Sequence, residues 1–196
     1  MKTTNKRSMS TETMVFGAVM TALVIVFQLL ATYTTFFGPF STAMALIPIV
    51  IGAAICGTWI GGWLGLVFGL VVLFSGGATL FFAFDVPGTI ITVITKGICC
   101  GLAAGAVYNL LKKVNKYLAV VSAAAVCPIV NTGVFLLGSA VFFMDSADAI
   151  AEKLGMNASG FSVFIALAFA NFLFELVINL VLSPVIVRLL NIKKRT

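Results

Sequence analysis

Long uncharged apolar stretches recur along this chain, and they constrain its fold more than any other feature. Hydrophobic residues make up 61% of the sequence and charged residues only 9%, a balance far outside that of water-soluble domains. About 20 apolar residues form a helix that crosses the roughly 30 Å hydrocarbon layer of a membrane, where the backbone must satisfy its own hydrogen bonds. The sequence therefore predicts an all-α integral membrane protein without a separate soluble domain.

Six apolar segments predict a bundle of six transmembrane helices. We expect the spans at about residues 14–32, 43–56, 60–74, 87–111, 117–143 and 161–190. The second and third are short and meet at a glycine-rich turn around Gly57, which predicts a helical hairpin. The first apolar run lacks a small-residue cleavage site, so we expect it to be retained as a span.

The distribution of charge predicts the orientation of this bundle. Basic residues cluster before the first span, between the fourth and fifth, and at the end: Lys2, Lys6, Arg7, Lys112, Lys113, Lys116, Arg188, Lys193, Lys194 and Arg195. Such clusters mark cytoplasmic connections, so both termini should be cytoplasmic. Residues 1–13 would then form a cytoplasmic segment, 14–191 the transmembrane domain and 192–196 a basic tail. The net charge of +6 is explained by topology, and we expect no nucleic-acid partner.

The residues that usually carry catalysis or bind metals are scarce. The sequence has no histidine, and its four cysteines lie inside apolar runs without a CxxC pattern. No Walker, HExxH or GxSxG motif is present. We therefore expect no metal, no cofactor and no enzymatic activity, and we interpret the cysteines as small packing residues.

Small residues recur at a spacing of four in three predicted spans. They are Gly61, Gly65 and Gly69 in the third span, Gly97, Gly101 and Gly105 in the fourth, and Ala18 and Ala22 in the first. This spacing places them on one helix face, where backbones approach closely in lipid. We expect the glycines to pack inside the bundle, whereas the alanine patch either packs internally or holds a partner subunit.

A lysine lies in the middle of the fourth predicted span. Lys96 is nine residues beyond Pro87, about 14 Å along a helix that rises 1.5 Å per residue, and therefore near the bilayer midplane. A charge at that depth costs about 2.5–3.5 kcal/mol on insertion scales. Such a lysine is expected to face a cavity or an acidic partner.

Polar residues in the last two spans are candidates for the cavity or acidic partner that Lys96 is expected to face. Glu175 lies at mid-depth in the sixth span with Asn171 and Asn179 one turn to either side, and Asn131 and Thr132 lie in the fifth span. Two interpretations remain open. Either Glu175 pairs with the buried lysine and the amides hold helices together, or these groups form an outward-opening pocket for a small polar metabolite.

These features together resemble the S components of energy-coupling factor (ECF) vitamin transporters, which are the substrate-binding subunits of ABC-type importers. The resemblance covers nearly the whole chain. It rests on the Ala18 and Ala22 patch, on an aromatic first outer loop containing Phe36 and Phe37, and on the polar residues of spans four to six. It implies a multi-pass protein of the bacterial cell membrane that binds a vitamin from outside.

The resemblance also implies partners and roles for particular residues. A transmembrane coupling subunit would dock on Ala18 and Ala22, and two cytoplasmic ATPase subunits would supply the energy. The implied substrate-binding residues are Lys96, Asn131, Thr132, Asn171, Glu175, Phe36 and Phe37, with Asn179 below the pocket. An anionic vitamin such as pantothenate would use the lysine, a pyridoxine-type amine would use the glutamate, and riboflavin would use the aromatic loop.

Two other classes of function are compatible with the same residues. In a stand-alone proton-coupled carrier, Glu175 would exchange protons beside Lys96, although the short chain lacks the two similar halves common in such carriers. In a purely structural subunit, the two charges would only pair with each other. The first of these would transport alone, and the second would bind no small molecule.

Overall fold

The computed structural model describes residues 11–33 and 40–192, and this part of the chain is built from helices without a strand. The six longer helices are α1 Thr11–Tyr33, α2 Phe40–Cys56, α3 Thr58–Phe74, α5 Val86–Leu111, α6 Lys116–Phe142 and α8 Ser162–Ile192. Two short helices lie in the connections, α4 at Thr79–Phe82 and α7 at Ala147–Leu154, the latter preceded by a 3-10 turn at Met144–Ser146. The all-α prediction is confirmed.

Helix length separates the long elements into two groups. Among the described residues, α1, α5, α6 and α8 are long and apolar enough to cross a membrane, whereas α2 and α3 are apolar but shorter. Each of the two shorter helices has 17 residues, a length of about 25 Å. Each predicted segment coincides with one long helix, but α4 and α7 were not predicted because their sequences are shorter than a span.

Helix α2 lies at the centre of the larger apolar core. The side chains of Leu46, Ile49 and Val50 are completely buried, and α2 contacts α1, α3 and α8 extensively. A helix surrounded by other helices can be shorter than the hydrocarbon layer because its ends meet protein as well as lipid. Its apolar sequence is therefore explained by burial within the bundle.

The chain reverses direction between α2 and α3 at a single glycine. Gly57 has φ +102°, a conformation that side chains disfavour, and its N–H donates to the carbonyl oxygen of Ala53 at 3.2 Å. Beyond the turn, a Cβ on Gly61 would meet the side chain of Ala53, and a Cβ on Gly52 would meet Leu64. The two helices are thus antiparallel neighbours, as the sequence predicts.

The closest helix contact is an antiparallel seam between α3 and α5, which we call the glycine seam. Its opposed pairs are Gly61 with Gly101, Gly65 with Gly97, and Gly69 with Val93. A Cβ on Gly61 would lie 2.5 Å from the carbonyl oxygen of Gly101, closer than a Cβ can approach. The backbones therefore touch directly, and the predicted internal packing of both glycine runs is confirmed.

The two short helices form a cap at the end of the bundle where α3 joins α5. Their cap cluster is a second apolar core, separate from the larger one, made of Phe143, Ala147, Ile150, Ala151, Val163 and Phe164. Phe81 of α4 packs against it, with its ring centroid 5.2 Å from that of Phe143. The cap closes one end of the bundle over α5 and α6.

The glycine seam should tolerate no added methyl group. We expect Gly97→Ala to lower the free energy of unfolding by about 1–3 kcal/mol, the usual cost of overpacking, because its Cβ would overlap the carbonyl oxygen of Gly65. Thermal unfolding in detergent micelles, followed by the fluorescence of Trp59 and Trp63 on α3, measures the change.

The matched control is Gly133→Ala in α6, where a Cβ would meet nothing within 4 Å. This substitution should leave the unfolding temperature unchanged or raise it slightly, because alanine restricts the unfolded chain. Equal unfolding temperatures for the two variants would contradict a backbone contact between α3 and α5.

Candidate functional site

A cavity of about 280 Å³ lies below the cap, between α5, α6 and α8; we call it the central cavity. Its polar lining consists of Lys96, Asn131, Thr132 and Asn171. Its apolar lining consists of Gly77, Leu80, Phe81, Phe135, Leu167 and Ala168. Four of the residues predicted for substrate binding, from three different helices, therefore share one cavity.

The lysine side chain lies between aromatic rings. The Nζ of Lys96 is 5.8 Å from the ring centroid of Phe68 and 5.7 Å from that of Phe135, within the range of cation–π attraction. Within the described ranges, the ammonium makes no hydrogen bond and no ion pair within 4.0 Å. Its Nζ is not within 4.0 Å of a carboxyl oxygen of Glu175, so the two groups are not in direct contact.

Both carboxyl oxygens of Glu175 accept hydrogen bonds from asparagine side chains. Glu175 is 1% exposed, and its Oε2 accepts a hydrogen bond from Nδ2 of Asn131 at 3.2 Å. Its Oε1 accepts from Nδ2 of Asn171 at 2.7 Å. The carboxyl group does not line the central cavity, and it therefore ties α6 to α8 from behind the cavity wall.

Asn179, the second asparagine of α8, has a local partner. Nδ2 of Asn179 donates to the backbone carbonyl oxygen of Glu175 at 2.8 Å. Asn179 is fully buried and lies outside the cavity lining. Its predicted position below the pocket stays a prediction.

Part of the cavity wall was missed from the sequence. Leu80 and Phe81 come from α4 in the connection after α3, and the ring of Phe81 meets Phe135 edge-to-face at 5.6 Å. The signal was present as an uncharged aromatic run, LFFAF, at residues 80–84. Because this run lies between two spans, its contribution depends on how the connection folds back.

The remaining predicted residues lie elsewhere. Phe36 and Phe37 fall outside the described residues, so their predicted contact with substrate stays a prediction. Ala18 and Ala22 are exposed on α1, on the face opposite buried Met20 and Val24. The alternative that this alanine patch packs inside the bundle is therefore wrong, and the patch is open to a partner or to lipid.

The central cavity has the chemistry of a binding site for a small polar molecule. It offers one cation, amide and hydroxyl groups, and an aromatic wall, the combination of few polar groups and apolar surface found in ligand pockets. The charge is on α5 and the amides on α6 and α8. The arrangement can therefore hold a ligand against three helices at once.

Comparison with known families gives a clear relationship for nearly the whole chain. A family model described as "ECF transporter, substrate-specific component" matches residues 12–187, a range that includes every residue lining the central cavity. Comparisons with curated proteins and with solved structures gave no significant match. Since the family match spans the bundle from α1 to the last turns of α8, the chain belongs to the family of ECF transporter substrate-specific components.

Proposed function

We propose that the central cavity is the substrate site of this ECF transporter subunit, and that it binds a vitamin or related small metabolite from outside the cell for ATP-driven uptake. The observation that carries the proposal is the convergence of Lys96, Asn131, Thr132 and Asn171 on one cavity. Polar groups at membrane depth are costly and usually functional. Their shared position in a transport subunit is best explained by a substrate.

We further propose six spans with both termini in the cytoplasm of a bacterial cell. The basic connection between α5 and α6, with Lys112 and Lys113, supports this orientation. At the other end of the bundle, the cap and its neighbouring turns carry Asp85, Asp145 and Asp148. The central cavity, which lies next to the cap, would then open toward the outside.

An anionic vitamin fits the lining better than a cationic one. Lys96 lines the central cavity, whereas Glu175 is buried behind it with both carboxyl oxygens occupied. A pyridoxine-type amine would have to displace an asparagine to reach the carboxyl group. A pantothenate-like acid would meet the ammonium directly, and the rings of Phe81 and Phe135 would contact its apolar part.

We propose that the subunit depends on partners for energy and performs no catalysis itself. Met14, Ala18 and Ala22 follow one another at a spacing of four on the exposed face of α1. Small side chains on such a face allow close approach of another helix. A transmembrane coupling subunit would dock there and connect the protein to two cytoplasmic ATPase subunits.

The lysine should be required for substrate retention. We expect a vitamin to be released from wild-type protein purified without partners and to be absent from Lys96→Met, because a lost charge-assisted hydrogen bond costs about 1.5–3 kcal/mol, or about 10–100-fold in affinity. Mass spectrometry of the released small molecules measures this.

The matched control is Lys153→Met on α7, whose ammonium lies over the ring of Phe84 and outside the central cavity. It should retain the vitamin like the wild type. Absence of any ligand from the wild type, even after incubation with a panel of vitamins, would favour the carrier or the structural subunit instead.

The alanine patch should matter for transport and not for binding. Ala18→Leu together with Ala22→Leu should leave vitamin retention unchanged and reduce uptake at least tenfold in vesicles containing the coupling module, because the added side chains hold the partner helix away. Uptake of labelled vitamin is measured with and without the module.

Ala106→Leu, at an exposed position of α5, is the matched control and should transport normally. Uptake by the wild-type subunit alone, driven by a proton gradient, would refute the dependence on partners and identify a stand-alone carrier.

A further inference from the structure

Two asparagines from different helices present their amide groups to one carboxyl group. Asn131 of α6 and Asn171 of α8 each use Nδ2 to donate to a separate oxygen of Glu175. A carboxyl group with both oxygens occupied in this way fixes the rotation of both amide planes. The orientation of Asn131 is therefore determined by a residue that does not itself line the central cavity.

The consequence for Asn131 is an unused acceptor. An amide carries its oxygen and its nitrogen on different sides of the same carbon, so Oδ1 points away from Glu175 when Nδ2 points toward it. Asn131 is 3% exposed, and its Oδ1 has no hydrogen-bond partner in the described part of the protein. Buried carbonyl oxygens are rarely left unpaired, and this residue lines the central cavity.

The same cavity presents a cation without an acidic neighbour in contact. Lys96 lines it, and the carboxyl group that the sequence offers as a partner, Glu175, already accepts hydrogen bonds from the two amides. One residue of the cavity lining thus carries a positive charge, and another carries a buried acceptor oxygen without a partner. A molecule that satisfies both needs an acidic group and a hydrogen-bond donor.

We infer that Glu175 is a positioning residue that turns the Asn131 amide so that its oxygen faces the substrate, and that the substrate is a small anion carrying an N–H or O–H donor. The anionic group, a carboxylate or a phosphate, lies against Lys96, and the donor bonds Oδ1 of Asn131. This inference rests on the proposed function, because it assigns the class of molecule that the central cavity binds.

Replacing the carboxyl group by an amide should disturb this arrangement selectively. A glutamine at position 175 has one acceptor oxygen and one nitrogen that only donates, so it can accept an N–H from one asparagine and not from both. One asparagine must then rotate its amide. When Asn131 rotates, the cavity presents an N–H in place of the acceptor, and a substrate donor finds no partner.

The first test identifies the retained molecule without assuming its identity. Small molecules released from purified wild-type protein are analysed by mass spectrometry, which also distinguishes a carboxylate from a phosphate. A retained acid with an N–H or O–H group supports the inference. A retained cation, or an acid without a donor, overturns the inference and leaves the proposed function intact.

The second test measures the positioning role with two defined probes. Pantothenate has a carboxylate with amide and hydroxyl donors, whereas nicotinate has a carboxylate and no donor at neutral pH. We expect wild-type protein to prefer pantothenate by about tenfold in equilibrium dialysis, the effect of one buried donor–acceptor pair. The ratio of the two affinities should fall toward one in Glu175→Gln and in Asn131→Leu. Lys96→Met should weaken the binding of both probes equally.

The ratio of the affinities for pantothenate and nicotinate distinguishes a positioning role of Glu175 from a general loss of structure, because partial unfolding lowers the binding of both probes together. Asn157→Leu, in the exposed connection between α7 and α8, is the matched control and should keep the wild-type ratio. An unchanged ratio in either Asn131→Leu or Glu175→Gln, or no preference in the wild type, overturns the inference. A wild type that retains no small molecule and binds neither probe, nor pyridoxine, contradicts the proposed function as well.

Discussion

Direct contact between the backbones of α3 and α5 is the constraint on which the rest of the bundle depends. The three pairs of the glycine seam leave no space for a side chain between the two helices. In lipid, where apolar side chains gain little from leaving the solvent, such close packing is a main source of helix association. The seam thus fixes both the separation of the helices and the rotation of α5 about its axis.

The rotation of α5 decides where its charge lies. Lys96 immediately precedes Gly97, so its side chain projects about 100° around the helix from the seam. With Gly97 held against Gly65, the lysine is directed between α3 and α6, where its ammonium lies near the rings of Phe68 and Phe135. The position of the Lys96 charge is therefore determined by the packing of its uncharged neighbour, Gly97. The two asparagines that line the same cavity are held in turn by Glu175.

The sequence was sufficient to predict the features that follow from a regular helix. Hydropathy located the six long helices, and the spacing of four between glycines located the glycine seam. The positions of Lys96, Asn131 and Asn171 along their predicted spans indicated that they lie at a similar depth in the membrane. It was insufficient for contacts between elements distant along the chain. Whether the lysine touches Glu175 depends on rotamers and helix rotation, and the contribution of Phe81 depends on a short helix whose own sequence is too brief to predict.

Helix α5 meets two requirements, close packing against α3 and the presentation of a charge to the central cavity, on different faces. One face of the helix, made of Gly97 and Gly101, holds the architecture, while a different face presents Lys96 to the central cavity. The cavity residues Thr132 and Asn171 lie on α6 and α8, which take no part in the seam. Substitutions at distant sites without shared contacts usually have additive effects, so changes at these two positions need not weaken the seam. A bundle built in this way can acquire specificity for a different cargo while its framework stays the same.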